Sequence, residues 1–393
     1  MELTKNIGLI CEFNPLHNGH RYLIETIKKL NHPCRIICVM SGNYTQRGDV
    51  AIADKFTRAK WAIENGADAV FELILPYNIM SAEGFARGAV AILDSLGAVD
   101  ELWFGSESAD VDVLIDVAKI IDSKEFSGLF QNRVKNNNAY NYATIVADTL
   151  SNGFGYSLKG ANDLLGIEYI RALNLYKSRI KPQTIKRVGA MHDAVDCENL
   201  YPSASFLRKT IGSEEYSKMK GLTSCNIIEY FRNNQSVFFE NNERAVIEVL
   251  RRRAYTDNSH FLHCKELGNK ICKAAISSKK LDDICSLVKT KNFTMSRIRR
   301  AILSLYLGIE QECSNLKPDF TNVLALNKHG IEFLAQTKKI RTINVITKPS
   351  MLKSMQGELY NLNIAGDFLY TMFYKDLKPQ EYFFGVSPYV IDK

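Results

Sequence analysis

Apolar and polar positions along this chain follow two periods that take turns. Ile7-Gly8-Leu9-Ile10-Cys11 is continuously apolar and opens into a polar loop, the pattern of a strand covered on both faces. From 19 to 30 the spacing becomes helical, with Leu23, Ile24, Ile27 and Leu30 on one predicted face. Residues 35–40 predict a second strand closed by Ser41-Gly42-Asn43, and 54–65 a helix that Gly66 ends. Residues 69–73 predict a third strand, 82–96 a helix, 101–105 a fourth strand and 185–189 the last strand of the sheet. Between these, about 113–150 is mostly helical, with a polar break at Lys135-Asn136-Asn137-Asn138. Strands alternating with helices of this length describe βαβ units on a parallel sheet, whose ligands bind past the carboxyl ends of the strands.

The pattern then turns helical from 220 to 310. It ends mixed, with strands expected at 322–326 and 342–346 around a helix through Phe333. The expected fold is therefore α/β: a Rossmann-like parallel-sheet domain over 1–215, a helical basic segment over 216–315, and a small mixed α/β C-terminal region over 316–393.

Composition adds little to this: 46% hydrophobic and 24% charged in 393 residues is ordinary for a globular chain. No apolar run is long enough to span a membrane, the start lacks a basic n-region, and Glu12 interrupts the first apolar stretch. No membrane contact is expected, and a cytoplasmic location is. The nine cysteines include no CxxC pair, which predicts reduced thiols and no structural zinc site. Charge changes the picture more. The net +7 is made of −5 over 1–150 and +8 over 241–300, with small excesses elsewhere. The basic segment suits either a polyanion partner or a solvated helix face, and charge alone leaves the two even.

Candidate chemistry sits first in Glu12-Phe13-Asn14-Pro15-Leu16-His17-Asn18-Gly19-His20, between strand one and its helix. A helix N-terminus suits a phosphate, and Gly19 allows close backbone approach. His17 and His20, three apart, can both donate to phosphate oxygens as charge builds during transfer. A second set is Ser203-Ala204-Ser205-Phe206-Leu207-Arg208; alone, Ser-x-Ser before a helix is an N-cap. A third is the loop 41–48 with Lys55 and Arg58, where Ser41, Asn43, Lys55 and Arg58 line an acceptor pocket or belong to a capped, solvated helix.

The first two motifs resemble the His-x-Gly-His and Ile-Ser-Ser-Thr-x-Ile-Arg signatures of the nucleotidylyltransferase superfamily. With Ser41-Gly42-Asn43, Gln46-Arg47-Gly48, Trp103-Phe104-Gly105-Ser106-Glu107, 162–169, Arg187-Val188-Gly189-Ala190 and Ser296-Arg297-Ile298-Arg299-Arg300, the chain resembles the bacterial tRNA(Met) cytidine acetate ligase family over almost its whole length. Val50 departs from the family's usual proline, and Met191-His192 from its longer Gly-Tyr-His. The resemblance implies an ATP-dependent ligase that forms acetyl-adenylate from acetate and ATP, with Mg²⁺ accompanying the triphosphate. It passes the acetyl group to N4 of cytidine 34 in elongator tRNA(Met), giving N4-acetylcytidine; DNA is not an expected partner.

By the same resemblance His17 and His20 are catalytic. ATP contacts fall on Gly8, Leu9, Ile10, Cys11, Glu12, Phe13, Asn14, Pro15, Leu16, His17, Asn18, Gly19, His20, Arg21, Gly105, Asn162, Arg187 and Val188. Ser203, Ser205 and Arg208 face the leaving pyrophosphate; in the basic segment, the run Lys273, Lys279, Lys280, Lys289, Lys291, Arg297, Arg299 and Arg300 is the expected contact for the tRNA phosphates. No protein metal ligands are expected. Two rivals remain at this point: a small-molecule adenylyltransferase, and a non-catalytic RNA-binding protein with a relic nucleotide pocket.

Overall fold

The computed structural model describes residues 4–136, 142–158, 160–188, 200–234, 236–352, 355–379 and 386–391. Its strands are β1 (Lys5–Cys11), β2 (Cys34–Ser41), β3 (Tyr44–Thr45), β4 (Asp49–Val50), β5 (Ala69–Leu73), β6 (Glu101–Ser106), β7 (Lys181–Lys186), β8 (Phe320–Asn327), β9 (Asn344–Ile346) and β10 (Tyr389–Ile391). In the first half the helices are α1 (Asn18–Leu30), α2 (Lys55–Glu64), α3 (Ala82–Ser95), α4 (Val111–Ile121), α5 (Lys124–Asn136), α6 (Tyr142–Phe154), α7 (Ala161–Leu175) and α8 (Ala204–Gly212). The second half adds α9 (Cys225–Asn233), α10 (Glu243–Arg252), α11 (Gly268–Ser277), α12 (Leu281–Val288), α13 (Met295–Leu307), α14 (Lys328–Thr337), α15 (Pro349–Leu352) and α16 (Glu358–Tyr370).

One sheet runs through the molecule in the order β10-β8-β5-β2-β1-β6-β7, with β9 also paired to β8. From β5 to β7 every pairing is parallel. Side-chain alternation on β2 explains why this stretch is apolar throughout: Ile37 and Val39 face one core, Ile36, Cys38 and Met40 the other. The first core is closed by α3, α4, α7 and α14, the second by α1, α2, α8 and α9. Asp54 caps α2 by accepting from the Phe56 and Thr57 N–H groups, and Gly66 follows that helix at φ +106.

Four expectations need correction. The last parallel strand is β7, at 181–186; Gly189, Ala190, Met191 and His192 lie outside the described residues. Leu30 is 62% exposed, so the buried face of α1 closes at Ile27. The C-terminal strands form no unit of their own: β8 pairs antiparallel to β5, and β9 and β10 pair parallel to β8. The basic helices α10–α13 do have a core of their own, but Tyr44, Val50, Tyr370 and Phe373 belong to it, so the segment is fused to the sheet domain. The β3–β4 hairpin touches α13 so closely that a Cβ at Gly48 would collide with the backbone of Arg299 and Arg300.

Candidate active site

The loop leaving β1 turns into α1 through His17, whose extended backbone makes it the N-cap. Its Nδ1 accepts from the Gly19 N–H at 3.1 Å, and its own N–H donates to His20 Nδ1 at 3.3 Å. A ring nitrogen that accepts carries no proton, so each imidazole places its N–H on Nε2 as a donor. The two rings stack with centroids 3.8 Å apart and planes 27° apart, and Phe13 meets His20 edge-on at 5.0 Å. Gly19 fits closely under the His17 ring: a Cβ there would lie 3.0 Å from Cε1 and 3.1 Å from Nδ1, so the ring would have to give by a few tenths of an ångström.

These rings line a cavity of about 570 Å³, a volume suited to a nucleotide. Gly105 at the end of β6, Arg187 and Val188 after β7, and Asn162 and Tyr169 of α7 form one side. Ser205 and Arg208 of α8, the hairpin residues Gln46 and Arg47, and Met295, Ser296 and Arg299 of α13 form another. Arg208 donates to the Asn14 carbonyl at 2.8 Å and to Ser205 Oγ at 3.1 Å. Neither Arg187 nor Arg208 makes an ion pair among the described residues, and burial pulls both below the ordinary guanidinium value. Two half-dry cations, near carboxylates but in no direct ion pair among the described residues, form a receptor for an anion. Glu107 sets the α7 wall. Its carboxylate accepts from Asn162 Nδ2 at 2.5 Å and from the Asp163 N–H at 2.9 Å. Burial pushes Glu107 up, but these bonds outweigh it and hold the group below its ordinary value.

Of the expected ATP loop, residues 9–14, His17, Gly19 and His20 line the cavity. Gly8 does not; its open face packs on Leu93 and Val99 of the core. Pro15 and Leu16 are buried, Asn18 is tied to the carbonyls of Leu200 and Gly221, and Arg21 pairs with Glu25 on the surface. Ser203 caps α8 through the Phe206 N–H at 3.0 Å, so of the pair only Ser205 reaches the cavity.

The acceptor-pocket expectation fails for all four residues. Lys55 is sealed against Glu72 and Asp367, at 2.8 and 2.6 Å. Arg58 is fully buried and donates to the carbonyls of Glu12, Ser41, Gly42 and Ala53. Asn43 binds Asp367 at 2.8 Å, and Ser41 is wholly enclosed. Of the expected tRNA-contacting arginines, Arg297 is the more open, 38% exposed beside Glu266. Arg299 pairs with Asp49 at 3.2 Å on the cavity wall, and Arg300 is interior, bonded to the Gln46 carbonyl at 3.1 Å. Burial and Arg297 lower Arg300 to about 10.

A family model described as HIGH Nucleotidyl Transferase matches residues 4–382. A tRNA(Met) cytidine acetate ligase of Thermosipho africanus is 37% identical, covering 94% of this chain and 95% of the relative. One from Clostridium botulinum is 33% identical over 98% of both. The chain belongs to the tRNA(Met) cytidine acetate ligase family. A crystal structure of Thermotoga maritima TmcAL bound with alpha-thio ATP superposes at TM-score 0.90, with 28% identity over 99% of this chain and 100% of that one. The apo form superposes at 0.91.

Against that family background, sequence reading missed Glu107 as the clamp on Asn162, and Tyr201, which lines the cavity just before the α8 cap. Glu107 sits inside a quoted motif, and an acidic residue beside a strand end was the available signal. Tyr201 carries none, because its place depends on how 200–203 crosses the β1 loop.

Proposed function

We propose that this chain activates acetate as acetyl-adenylate with ATP and transfers the acetyl group to N4 of the wobble cytidine of elongator tRNA(Met), in the cytoplasm. The observation that carries this reading is the stacked His17–His20 pair on the wall of a cavity that also presents Arg187 and Arg208, neither in an ion pair among the described residues. The family's activity supports it, as does the alpha-thio ATP bound to the Thermotoga relative.

Acetate is a weak electrophile because its carboxyl group is already anionic. An acetate oxygen attacks the α-phosphorus, the bond to the β-phosphate oxygen breaks, and pyrophosphate leaves. Charge then builds on the phosphoryl oxygens, where the Nε2 donors of His17 and His20 act, while Arg208 receives the leaving group. Among the described residues no group of three His, Cys, Asp or Glu side chains could hold a metal. Mg²⁺ would enter bound to the triphosphate, as part of the substrate. Arg297, Lys273 of α11, and Lys279, Lys280, Lys289 and Lys291 on either side of α12 are the proposed tRNA contacts, in the basic segment 216–315.

The test is mass analysis of nucleosides from tRNA(Met) incubated with protein, ATP and isotopically labelled acetate. Labelled N4-acetylcytidine at one position is expected, and His20→Ala lowers its rate about 10²–10³-fold. Absence of label in cytidine, or an undiminished rate in His20→Ala, refutes the proposal.

A further inference from the structure

Adenylation needs donors; the second half-reaction needs the opposite. The exocyclic amine of cytosine is a poor nucleophile because its lone pair is delocalised into the ring, so its attack must be accompanied by loss of a proton. The histidines do not offer a base: each Nδ1 already accepts a backbone N–H. Two carboxylates line the cavity among the described residues, Glu12 and Asp49. Asp49 is neutralised by Arg299 at 3.2 Å.

Glu12 is different. It stands five residues before His17 in the same loop, and its carboxylate reaches the hairpin. Both hydrogen bonds it accepts, from the Gln46 N–H at 2.7 Å and Ser41 Oγ at 3.5 Å, fall on Oε1. Oε2 has no protein partner among the described residues. Gln46 and Arg47 line the cavity beside Met295 and Ser296 of α13, on the basic segment. The sheet order puts this wall, after β2, on one side of β1, and the β6–β7 wall with Gly105 and Arg187 on the other.

We propose, building on the acetyl-adenylate reading above, that Glu12 is the general base of acetyl transfer. The N4 nitrogen attacks the acetyl carbon and the C–N bond forms. The C–O bond to the phosphate breaks, AMP leaves with the electron pair, and the N4 proton goes to Glu12 Oε2. The setting fits a base stronger than a free carboxylate. Burial raises the group, while Arg208 of α8, Arg58 of α2 and Arg47 of the hairpin pull it down; the Cys11 thiol and Tyr169 phenol also face it, and the net shift is upward.

The experiment separates the half-reactions in the full-length enzyme. Acetate-dependent exchange of labelled pyrophosphate into ATP reads adenylation; single-turnover acetylation of tRNA(Met) reads transfer. In Glu12→Gln the ratio of transfer to exchange falls about 10²-fold or more. In wild type the transfer rate rises with pH along a limb lying above the usual carboxylate range of about 4.3; that limb is lost in Glu12→Gln and persists in Glu12→Asp at a reduced rate. The proposal is overturned if Glu12→Gln lowers both half-reactions equally, as a loop brace through Gln46 would, or if it keeps the wild-type transfer limb. If wild type acetylates tRNA without any pyrophosphate exchange, the adenylate reading fails instead, which the exchange arm reveals by itself.

Discussion

Two pairs of cations stand near the carboxyl ends of the central strands and do opposite things. Lys55 and Arg58 lie on α2, beyond β2 and the hairpin; Arg187 follows β7 and Arg208 lies on α8. Both pairs are largely withdrawn from water. Lys55 is ringed by Glu72 and Asp367, and every nitrogen of Arg58 donates to a main-chain carbonyl. Among the described residues Arg208 gives two bonds, to Asn14 and Ser205, and it lines the cavity. Desolvation alone therefore does not mark an anion site. What marks it is donor capacity left unused by the protein, since a buried cation already matched has nothing to offer a phosphate.

The sharpest way to break this comparison is to remove one cation from each pair. Lys55→Met leaves Glu72 and Asp367 buried with no cation between them, and is expected to cost about 3–5 kcal/mol of stability. Arg208→Met strands one carbonyl, and is expected to cost about 1 kcal/mol while lowering adenylation about 10²-fold. Urea midpoints and pyrophosphate exchange, measured on both variants, decide the matter. Equal midpoints would show that the sealed and the open cations are not distinct.

A smaller effect sharpens the sealed side. One lysine faces two carboxylates there, and burial, outweighing Lys55, raises the Asp367 carboxyl to about 6 from an ordinary 3.8. Between those values the folded chain holds a proton that the unfolded chain has released. The contribution is thus full below about 4 and lost as pH rises through 6. Relative to Asp367→Asn, wild type is expected to lose roughly 1–3 kcal/mol between pH 4 and 7. A pH-independent difference in denaturation midpoint would place the proton elsewhere.

The same contrast explains what could be read from the chain before its fold was known. The β1 loop, His17, Gly19 and His20 are local: strand, turn and helix are contiguous, and the side chains that meet are at most a few positions apart. The fate of Lys55 is not local. Its partner Asp367 lies 312 positions away, and Asn322, which binds Glu72 at 2.6 Å, is on a strand that joins the sheet from the far end of the chain. No period or motif near Lys55 records those neighbours, so a buried lysine and a phosphate-binding one look alike. The antiparallel entry of β8 was hidden for the same reason: its alternation shows a strand, not its partner. Arg300 was misjudged because its charge invited a surface reading, whereas Gly48 lets the hairpin close directly over its backbone.

The smallest expected effect concerns a cation of intermediate kind. Arg299 lines the cavity, as Arg208 does, yet it carries counter-charges, Asp49 at 3.2 Å and Asp282 at 3.5 Å. Its side chain is 25% exposed and that of Asp49 28%, so water screens the pair in a way it cannot screen Lys55. The hairpin and α13 are held by the close approach at Gly48, which does not depend on charge. Asp49→Asn should therefore cost under about 1 kcal/mol, and less in high salt than in low. The urea midpoint of wild type and variant at the two ionic strengths measures this. A salt-independent loss of about 3 kcal/mol would move Arg299 into the company of Lys55, and unused donor capacity would then cease to separate the cavity's cations from the core's.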